Sequence, residues 1–578
     1  MNRQSLLLGI CVVSIASVTV PAQAQTAPKA FVLDSDGPSL TAMDVVTGKP
    51  LKTAVLQGEP GALIQVPGGR WLVVLDRGPG KDAGDNGYQA KGKSSATIVD
   101  AATLEVRQRV ELGWGLDFTP LVTPEGDRLT FVCPGYQSKK PAEVLPRELV
   151  TVNLTSGQVT GRLALPRPAT AFFSTPDGKT AVILSPGETP RQAPAIPAEL
   201  RLVDLVGTTV VATLALEGNP KNPVLSPDGK FVYLLDAGKP SGNPEKNVNG
   251  RLHVVSIDSR KLEATVDAGS KPRGLVLDEA GQQLLLLSDE PPVKGKERAG
   301  ELRVIRGPVV QPPIKVAQDP LFVRVAPKVN RLYVLAERHI TTLSLPEFTP
   351  VRTLPNRAGI STTELAISPD GTRGMQLLGG GYVDVVDLET GKLLDSVRTG
   401  RMSALLLNAA VAVTLTEVSR RSGERDASRR NQSYYSYTEY TLKDVSPSMA
   451  MRPDGRFAYV LNNQTRDVTI IDMGTAAVVD KFGGAGFDIQ ILGSASVAII
   501  LSDSVIRLLD TTTNKKLDDL TGGNFKKDAG FQRLDVSPDG RYAVAYGAPG
   551  VFCLDGSTGK VVGHAHNFKR VVDVEYVW

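Results

Sequence analysis

The sequence predicts an all-β repeat protein, and three observations carry this prediction. Turns of the type Pro-Asp-Gly recur between apolar runs, and a second turn of the type Asp-x-x-Thr-Gly follows most of them after another strand pair. The 56 glycines and 40 prolines of the 578 residues are spread between these runs rather than gathered in one tract. Proline presets φ, aspartate bonds back to the turn backbone, and glycine takes the positive φ that closes a hairpin. Each repeat therefore reads as four antiparallel strands, which is one propeller blade.

The spacing of the first turn predicts where each blade begins. Full copies occupy residues 175–179, 226–230, 368–372, 452–456 and 537–541, and a close variant occupies 123–126. Early copies recur about every 51 or 52 residues, whereas the last three are 84 or 85 apart. The longer interval is about two blades of roughly 42 residues, so each should hold one degenerate blade. The strand pattern without its turn is visible at 403–445 and 488–520.

The blade count predicts the architecture. About twelve blades exceed the four to eight that usually close one ring, so we expect two fused β-propellers of about six four-stranded blades each. The alternative is one seven-bladed ring plus a smaller or incomplete ring. The expected divisions are a signal peptide at 1–24, a first β-propeller at 27–318, a second at 319–567, and a C-terminal strand at 568–578 that closes the first propeller.

The two chain ends are incomplete in complementary ways. Residues 31–56 hold three strands and lack the first strand of a blade, while residues 571–578 form a lone strand. We therefore expect the last strand to pair with the N-terminal unit, because the pairing would remove an exposed sheet edge.

One unit carries a family resemblance. Residues 456–482 contain the run Ala458, Tyr459, Val460, Leu461, Asn462, Asn463, and the repeats resemble the YVTN family of β-propeller repeats found in extracytoplasmic bacterial and archaeal proteins. The resemblance covers nearly all of the chain after residue 24. It implies a propeller fold and an exported context, but only a loose function, because such propellers serve as binding surfaces, as cell-surface components and, in related lactonase and dehydrogenase folds, as enzymes.

The N-terminus has the pattern of a secretory signal. Asn2 and Arg3 precede an apolar stretch at 6–18 and a small-x-small cleavage site at 22–24, so we expect the mature chain to begin near Gln25 in the periplasm or outside the cell. The alternative is an uncleaved anchor, but the stretch is short for a bilayer, and no later run is long enough for a transmembrane helix. The net charge of +4 does not imply a polyanionic partner, and nucleic acid is not expected.

The residues that usually carry catalysis are few. Cys133 and Cys553 are expected to be separate buried thiols, and His253 and His339 to be strand residues. His564 and His566 are a weak metal signal without a cysteine or carboxylate cluster, so neither a metal nor a cofactor is expected. There is no Cys-x-x-Cys-His haem attachment and no Gly-x-Ser-x-Gly nucleophile elbow.

Two regions are candidate binding sites. Five inserts fall between the second and third strands of successive blades, at 77–95, 134–147, 186–199, 237–250 and 290–300, and should gather on one rim. They are equally well interpreted as tolerated surface insertions. The second region is an arginine-rich insert followed by tyrosines, which could bind phosphate, carboxylate or sugar-bearing polymers or be a solvated loop: Arg420, Arg421, Arg425, Arg429, Arg430, Tyr434, Tyr435, Tyr437 and Tyr440.

These features support three functional hypotheses. The first is an exported, non-enzymatic binding or scaffold module of the cell envelope with a protein or glycan partner. The second is a propeller enzyme of the lactonase-like or quinone/haem-linked oxidoreductase type, which a cluster of inward-pointing Arg, Glu, Asp or His side chains at one channel mouth would favour. The third is a surface-layer component, which should self-associate.

Overall fold

The protein consists almost entirely of β-strands. A computed structural model describes eleven sheets of four or five strands, two additional hairpins and two 3-10 turns at Pro244–Lys246 and Pro327–Val329. It covers residues 29–577 except 83–87, 117–119, 138–143, 188–194, 227, 240, 278–282, 356–361, 379–381, 399–448, 463–466, 484–487, 492–496, 502–504, 522–530, 538–539, 548–549, 559, 566–567 and 569–570.

The first six sheets, which we call blades 1 to 6, run in chain order. Blade 1 contains β1 (Lys29–Asp34), β2 (Ser39–Asp44), β3 (Pro50–Val55) and the last strand, β49 (Val571–Val577). Blade 2 contains β4 (Pro60–Gln65), β5 (Trp71–Asp76), β8 (Lys93–Asp100) and β9 (Val106–Trp114), with the hairpin β6 (Gly80–Asp82) and β7 (Tyr88–Ala90). Blade 3 contains β10 (Leu121–Val122), β11 (Arg128–Cys133), β14 (Glu148–Asn153) and β15 (Gln158–Ala164), with the hairpin β12 (Tyr136–Gln137) and β13 (Val144–Leu145). Blade 4 contains β16 (Ala171–Ser174), β17 (Thr180–Ser185), β18 (Ala198–Asp204) and β19 (Thr209–Leu216). Blade 5 contains β20 (Lys221–Leu225), β21 (Phe231–Asp236), β22 (Arg251–Ser256) and β23 (Lys261–Asp267), and blade 6 contains β24 (Ser270–Leu277), β25 (Leu284–Asp289), β26 (Gly300–Arg306), β27 (Val309–Val310) and β28 (Ile314–Val316).

Blades 7 to 11 are more compact. Blade 7 contains β29 (Pro320–Ala326), β30 (Arg331–Ala336), β31 (His339–Ser344) and β32 (Pro350–Pro355). Blade 8 contains β33 (Thr362–Ile367), β34 (Arg373–Leu378), β35 (Tyr382–Asp387) and β36 (Leu393–Arg398). Blade 9 contains β37 (Met449–Met451), β38 (Phe457–Asn462), β39 (Asp467–Asp472) and β40 (Ala477–Gly483). Blade 10 contains β41 (Asp488–Ile491), β42 (Val497–Leu501), β43 (Val505–Asp510) and β44 (Lys515–Thr521), and blade 11 contains β45 (Phe531–Val536), β46 (Tyr542–Gly547), β47 (Gly550–Asp555) and β48 (Val561–Ala565).

Each blade packs on both neighbours, because its central strands are apolar on both faces. Successive side chains of a strand point to opposite faces, so in β1 Phe31 and Leu33 pack against blade 2, while Ala30 and Val32 pack against blade 11. Shared apolar clusters or strand contacts join every consecutive pair of blades and join blade 11 to blade 1. The sheets therefore form one closed ring.

The prediction of two fused propellers of about six blades is wrong, and so is the alternative with a seven-bladed ring. The described residues form one ring of eleven blades. Leu287 and Leu302 of blade 6 share an apolar cluster with Val323 and Leu332 of blade 7, so packing continues past residue 318. The prediction assumed that a ring holds the usual four to eight blades. The number of blades depends on the angle between neighbouring sheets, and the sequence of a single repeat does not reveal this angle.

The two degenerate blades expected from the spacing have different outcomes. The blade at 488–520 is confirmed, because β41 to β44 form a four-stranded sheet. The other, at 403–445, lies outside the described residues. Blades 8 and 9, on either side of it in the chain, pack directly on each other through Met375, Val385, Ala458 and Ile471.

The C-terminal strand pairs with the N-terminal unit. β49 lies antiparallel to β1, with Ala30 opposite Tyr576 and Val32 opposite Val574. The buried carboxylate of Asp573 accepts a hydrogen bond of 3.0 Å from the backbone N–H of Leu63 in blade 2. The pairing that the chain ends predict is therefore present, but it closes the single ring.

The turns between the first and second strands contact the same turns in neighbouring blades. In blade 5 the Ser226 hydroxyl donates to Asp228 (2.6 Å), and Gly229 has a φ of +71°. A Cβ atom on Gly229 would lie 2.7 Å from Cδ of Pro176 in the corresponding turn of blade 4. At Gly229, both the positive φ of the turn and the contact with the neighbouring blade therefore favour glycine.

The turns between the third and fourth strands repeat a second backbone feature. Asp44 accepts hydrogen bonds from the backbone N–H groups of Val46 (2.8 Å) and Thr47 (3.0 Å), and the residue after these has a positive φ. Other blades place non-glycine residues there, including Leu104 (φ 55°) and Thr208 (φ 52°), both of which are buried. The left-handed position of this turn therefore does not require glycine, and burial of Leu104 and Thr208 helps to offset the strain.

Cys133 and Cys553 are both buried and unpaired, as expected. Burial raises the pKa of Cys133 to about 11 and the pKa of Cys553 to about 12, so both thiols stay protonated near neutral pH.

We predict that Gly229→Ala destabilises the protein more than Gly69→Ala. Both glycines occupy the same turn position with similar φ values, but no atom lies within 4 Å of a Cβ on Gly69. Gly69 lies in blade 2, whose preceding neighbour in the ring is blade 1. The two inner strands of blade 1, β49 and β1, come from opposite ends of the chain, so no turn connects them and none packs against Gly69. Gly69→Ala should therefore cost only the left-handed strain, about 1–2 kcal/mol, and Gly229→Ala should cost that plus the contact with Pro176. Denaturant melts measure both, and equal losses would contradict the inter-blade contact.

We predict that deleting residues 571–578 destabilises the N-terminal blades. The deletion removes the fully buried Val571 and Val574 and leaves β1 as an exposed edge. Loss of two buried valines alone should lower the free energy of unfolding by about 3 kcal/mol or more. Calorimetry and limited proteolysis of blades 1 and 2 test this, and unchanged melting and protection of these blades would show that the closure does not stabilise the ring.

Candidate functional site

The arginine- and tyrosine-rich insert lies outside the described residues. Arg420, Arg421, Arg425, Arg429, Arg430, Tyr434, Tyr435 and Tyr437 all fall within the segment 399–448. Their role in binding remains a prediction.

Two of the five predicted inserts, 186–199 and 237–250, contribute to a cleft on one face of the ring. These connections lie on the same face as the links between blades, since strands alternate in direction. A cavity of about 950 Å³ opens there between blades 4, 5 and 6. It is lined mainly by residues 195–197 of one insert, residues 216–221 around the link between blades 4 and 5, the insert 237–250 and the start of β24. Further lining residues lie next to these segments: Gly187, Val224, Leu235, Asp236 and Arg251. We call this cavity the rim cleft.

The walls of the rim cleft are mainly aliphatic. Ile196 and Val248 are 42% and 49% exposed, and Pro197, Leu235 and Pro272 complete the apolar lining. A second cavity of about 500 Å³ lies on the other side of the 237–250 insert and shares part of its lining with the rim cleft. An exposed apolar wall within a concave site is typical of a ligand-binding surface.

The 237–250 insert is held by a chain of side-chain amides. The Asn247 carbonyl oxygen accepts hydrogen bonds from the Ser241 backbone N–H (3.1 Å) and the Ser270 hydroxyl (3.3 Å). The Asn247 amide donates to Asn249 (2.7 Å), which in turn donates to Asp267 (2.9 Å). Two backbone hydrogen bonds between Lys239 and Val248 close the insert. The wall of the rim cleft is therefore built in advance, which reduces the entropy lost on binding.

The charges of the rim cleft favour an anion. Its lining includes four cationic and two acidic side chains: Lys221, Lys239, Arg251, Arg273, Glu217 and Asp236. Arg251 pairs with Glu217, and both partners are substantially exposed. Arg273 pairs with Asp319 at 2.9 Å, and Asp236 accepts a hydrogen bond from the Gly238 backbone. No ion pair among the described residues involves Lys221 or Lys239.

His253 is hydrogen-bonded to one lining residue of each cavity. The residue is fully buried; its Nε2 lies 3.0 Å from the Glu217 carbonyl oxygen, and its Nδ1 lies 3.0 Å from the Thr265 hydroxyl. The carbonyl can only accept, so Nε2 carries the proton and Thr265 donates to Nδ1. Burial lowers the pKa of His253, which keeps the ring neutral. Its expected role as a strand residue is confirmed, and its ring joins Glu217 of the rim cleft to Thr265 of the second cavity.

A buried acidic group lies beside the rim cleft. Asp289 is fully buried, and its Oδ1 accepts a hydrogen bond of 3.0 Å from the Asp319 backbone N–H. Burial and the neighbouring charge of Asp319 raise the pKa of Asp289. Asp319 in turn pairs with Arg273, which belongs to the inner strand of blade 6 and lines the cleft.

The remaining candidate residues are dispersed. His339 begins β31 in blade 7, and His564 stacks on Phe552 in blade 11 at 6.1 Å between ring centroids, while His566 is outside the described residues. No group of three or more metal-ligating side chains is found in the described part of the chain. In that same part, no helix has the length and hydrophobicity needed to span a membrane.

Sequence reasoning located the inserts, and Lys239 with them, but missed the cations outside them. Arg251 is the first residue of β22, directly after the 237–250 insert, whereas Arg273 lies in the inner strand β24, away from any insert. Arg251 directly follows the last residue of the 237–250 insert, and a cation in that position was a usable signal.

Neither a family model nor a curated protein matches this chain. Among solved structures, it is similar to Kuenenia stuttgartiensis hydrazine synthase at 17% identity, covering 59% of this chain and 96% of that chain, with a TM-score of 0.27. The dihydro-heme d1 dehydrogenase NirN in complex with DHE matches at 14% identity, with 65% and 74% coverage and a TM-score of 0.31. A eukaryotic initiation factor matches at 11% identity, with 79% and 96% coverage and a TM-score of 0.40. Likenesses at this level carry no argument about function.

We predict that His253 makes the protein less stable in mild acid. The folded state holds the neutral ring, so the unfolded chain takes up the proton first, and stability falls as the pH drops below about 6.5 and through the lower folded pKa. His253→Thr should flatten this dependence, because it removes the titrating ring. Threonine suits the position, because Thr341 and Thr353 form the equivalent pair in blade 7. Denaturant melts from about pH 7.5 to about pH 5 measure it. Parallel stability curves for the two proteins would contradict the assignment.

Proposed function

We propose that this chain is an exported β-propeller of the cell envelope that binds a protein partner at the rim cleft without transforming it. The observation that carries the proposal is the cleft itself, a cavity of about 950 Å³ with aliphatic walls and a wall segment fixed by side-chain amides. Rigid loops on a propeller scaffold are suited to recognition. The secretory pattern of residues 1–24 and the resemblance to YVTN repeats support the exported context.

A protein partner suits the cleft better than a glycan. The exposed side chains of Ile196 and Val248, together with Pro197 and Pro272, offer aliphatic surface to aliphatic side chains. Burying such surface contributes roughly 25 cal/mol per Å². Sugars present mainly hydroxyl groups, which these walls cannot pair.

One observation favours the enzyme as a second candidate. The buried Asp289, with its raised pKa, adjoins the Asp319–Arg273 pair, and such perturbed groups are frequent at catalytic sites. The same geometry also suits a structural contact between blades 6 and 7, since Asp289 accepts the Asp319 N–H. The state of the captured partner separates the two functions: an unchanged partner supports binding, and a chemically altered one supports the enzyme.

We predict that photo-crosslinkers at the rim cleft capture one protein from envelope extract. A photo-crosslinking residue in place of Ile196, and one in place of Val248 in a separate variant, should give the same adduct, because both positions line the cleft and are partly exposed. Val479, on the outer strand of blade 9 and 48% exposed, is the matched control and should not give it. Mass spectrometry identifies the adduct, and titration of the purified partner confirms binding.

The proposal fails if neither cleft position gives an adduct or if all three positions give the same ones. A glycan adduct would overturn the choice of a protein partner.

A further inference from the structure

We propose that the rim cleft recognises an extended acidic segment in which carboxylates alternate with aliphatic side chains. This inference rests on the proposed function and specifies the chemistry of the partner. It follows from the distribution of charge around the aliphatic walls.

Two cations of the cleft have no acidic partner among the described residues. Lys221 is the first residue of β20 in blade 5, and Lys239 lies in the 237–250 insert, so they approach the cavity from different elements. Both side chains are exposed. Each is available for a carboxylate of a bound segment.

A third cation can exchange its partner. The side chains of Arg251 and Glu217 are 43% and 76% exposed, respectively. Ion pairs between exposed side chains contribute little, typically about 0–1 kcal/mol. When the aliphatic side chains of a ligand pack on the walls, a carboxylate of the same ligand can therefore replace Glu217. The planar guanidinium of Arg251 can bind this carboxylate through two hydrogen bonds.

The fourth cation does not take part. Arg273 is held by Asp319 at 2.9 Å, and its side chain is only 22% exposed. The anion-binding positions are therefore Lys221, Lys239 and Arg251, which lie on three different segments around Val248 and Leu235. Cations on several segments around apolar surface suit an extended chain, because its successive side chains point to opposite sides and can present carboxylates and aliphatic groups separately.

The test uses two fluorescein-labelled decapeptides, one alternating leucine with glutamate and one alternating leucine with lysine. Fluorescence anisotropy should show binding of the glutamate peptide and much weaker binding of the lysine peptide. The double variant Lys239→Gln with Arg251→Gln should weaken binding of the glutamate peptide about tenfold. The control Lys294→Gln with Lys296→Gln removes two exposed lysines from the 290–300 insert, outside the cleft lining, and should bind as the unmodified protein does.

Several results would overturn this inference. Equal binding of the two peptides, or equal losses in the cleft and control variants, would show that the cleft does not select acidic segments. Oligogalacturonate carries carboxylates but no aliphatic side chains. If it displaced the labelled glutamate peptide as effectively as the unlabelled glutamate peptide does, the aliphatic side chains would not contribute to binding. If crosslinkers at Ile196 and Val248 still capture a protein, the proposed function survives these results, whereas absence of capture removes both.

Discussion

Contact between successive blades at their first turns is the constraint on which this ring depends. A proline in one turn lies against the glycine of the next, as Pro176 does against Gly229 and Pro369 against Gly455. The second of these contacts joins blades 8 and 9 across the segment 399–448. The motif Pro-Asp-Gly thus serves two purposes: it closes a hairpin and it leaves space for a neighbour. The rest of each blade adds apolar surface on both faces, which a ring covers completely.

The sequence predicted the blades well because their determinants are local. Turn residues, alternating apolar runs and the complementary chain ends are all visible within short segments, and within the described residues they correspond to observed strands and turns. The number of blades in the ring depends on the angle between neighbouring sheets, which is set by many side chains together. Leu104 and Phe348, buried at left-handed turn positions, illustrate this, because they are inter-blade contacts that the turn motif does not anticipate.

The candidate site was predictable only in part. The length and position of the inserts indicated which face of the ring would carry it. The cleft, however, combines those inserts with residues of the link 216–221 and of β24, which look like ordinary blade residues in the sequence. His253 shows which contacts the sequence can predict and which it cannot. Its pairing with Thr265 follows the strand register, but its second bond reaches the Glu217 carbonyl through tertiary packing alone.

The closure of the ring by β49 has a consequence for how the chain folds. The hydrogen bond between Leu63 and Asp573 joins positions 510 residues apart, and β1 cannot acquire its inner neighbour until the final residues are available. Contacts of such long sequence separation are entropically expensive and slow to form. Until β49 pairs with β1, blade 1 therefore presents an unpaired apolar edge. Closure of the ring is thus a late step of folding, and the open edge is exposed to edge-to-edge association before it.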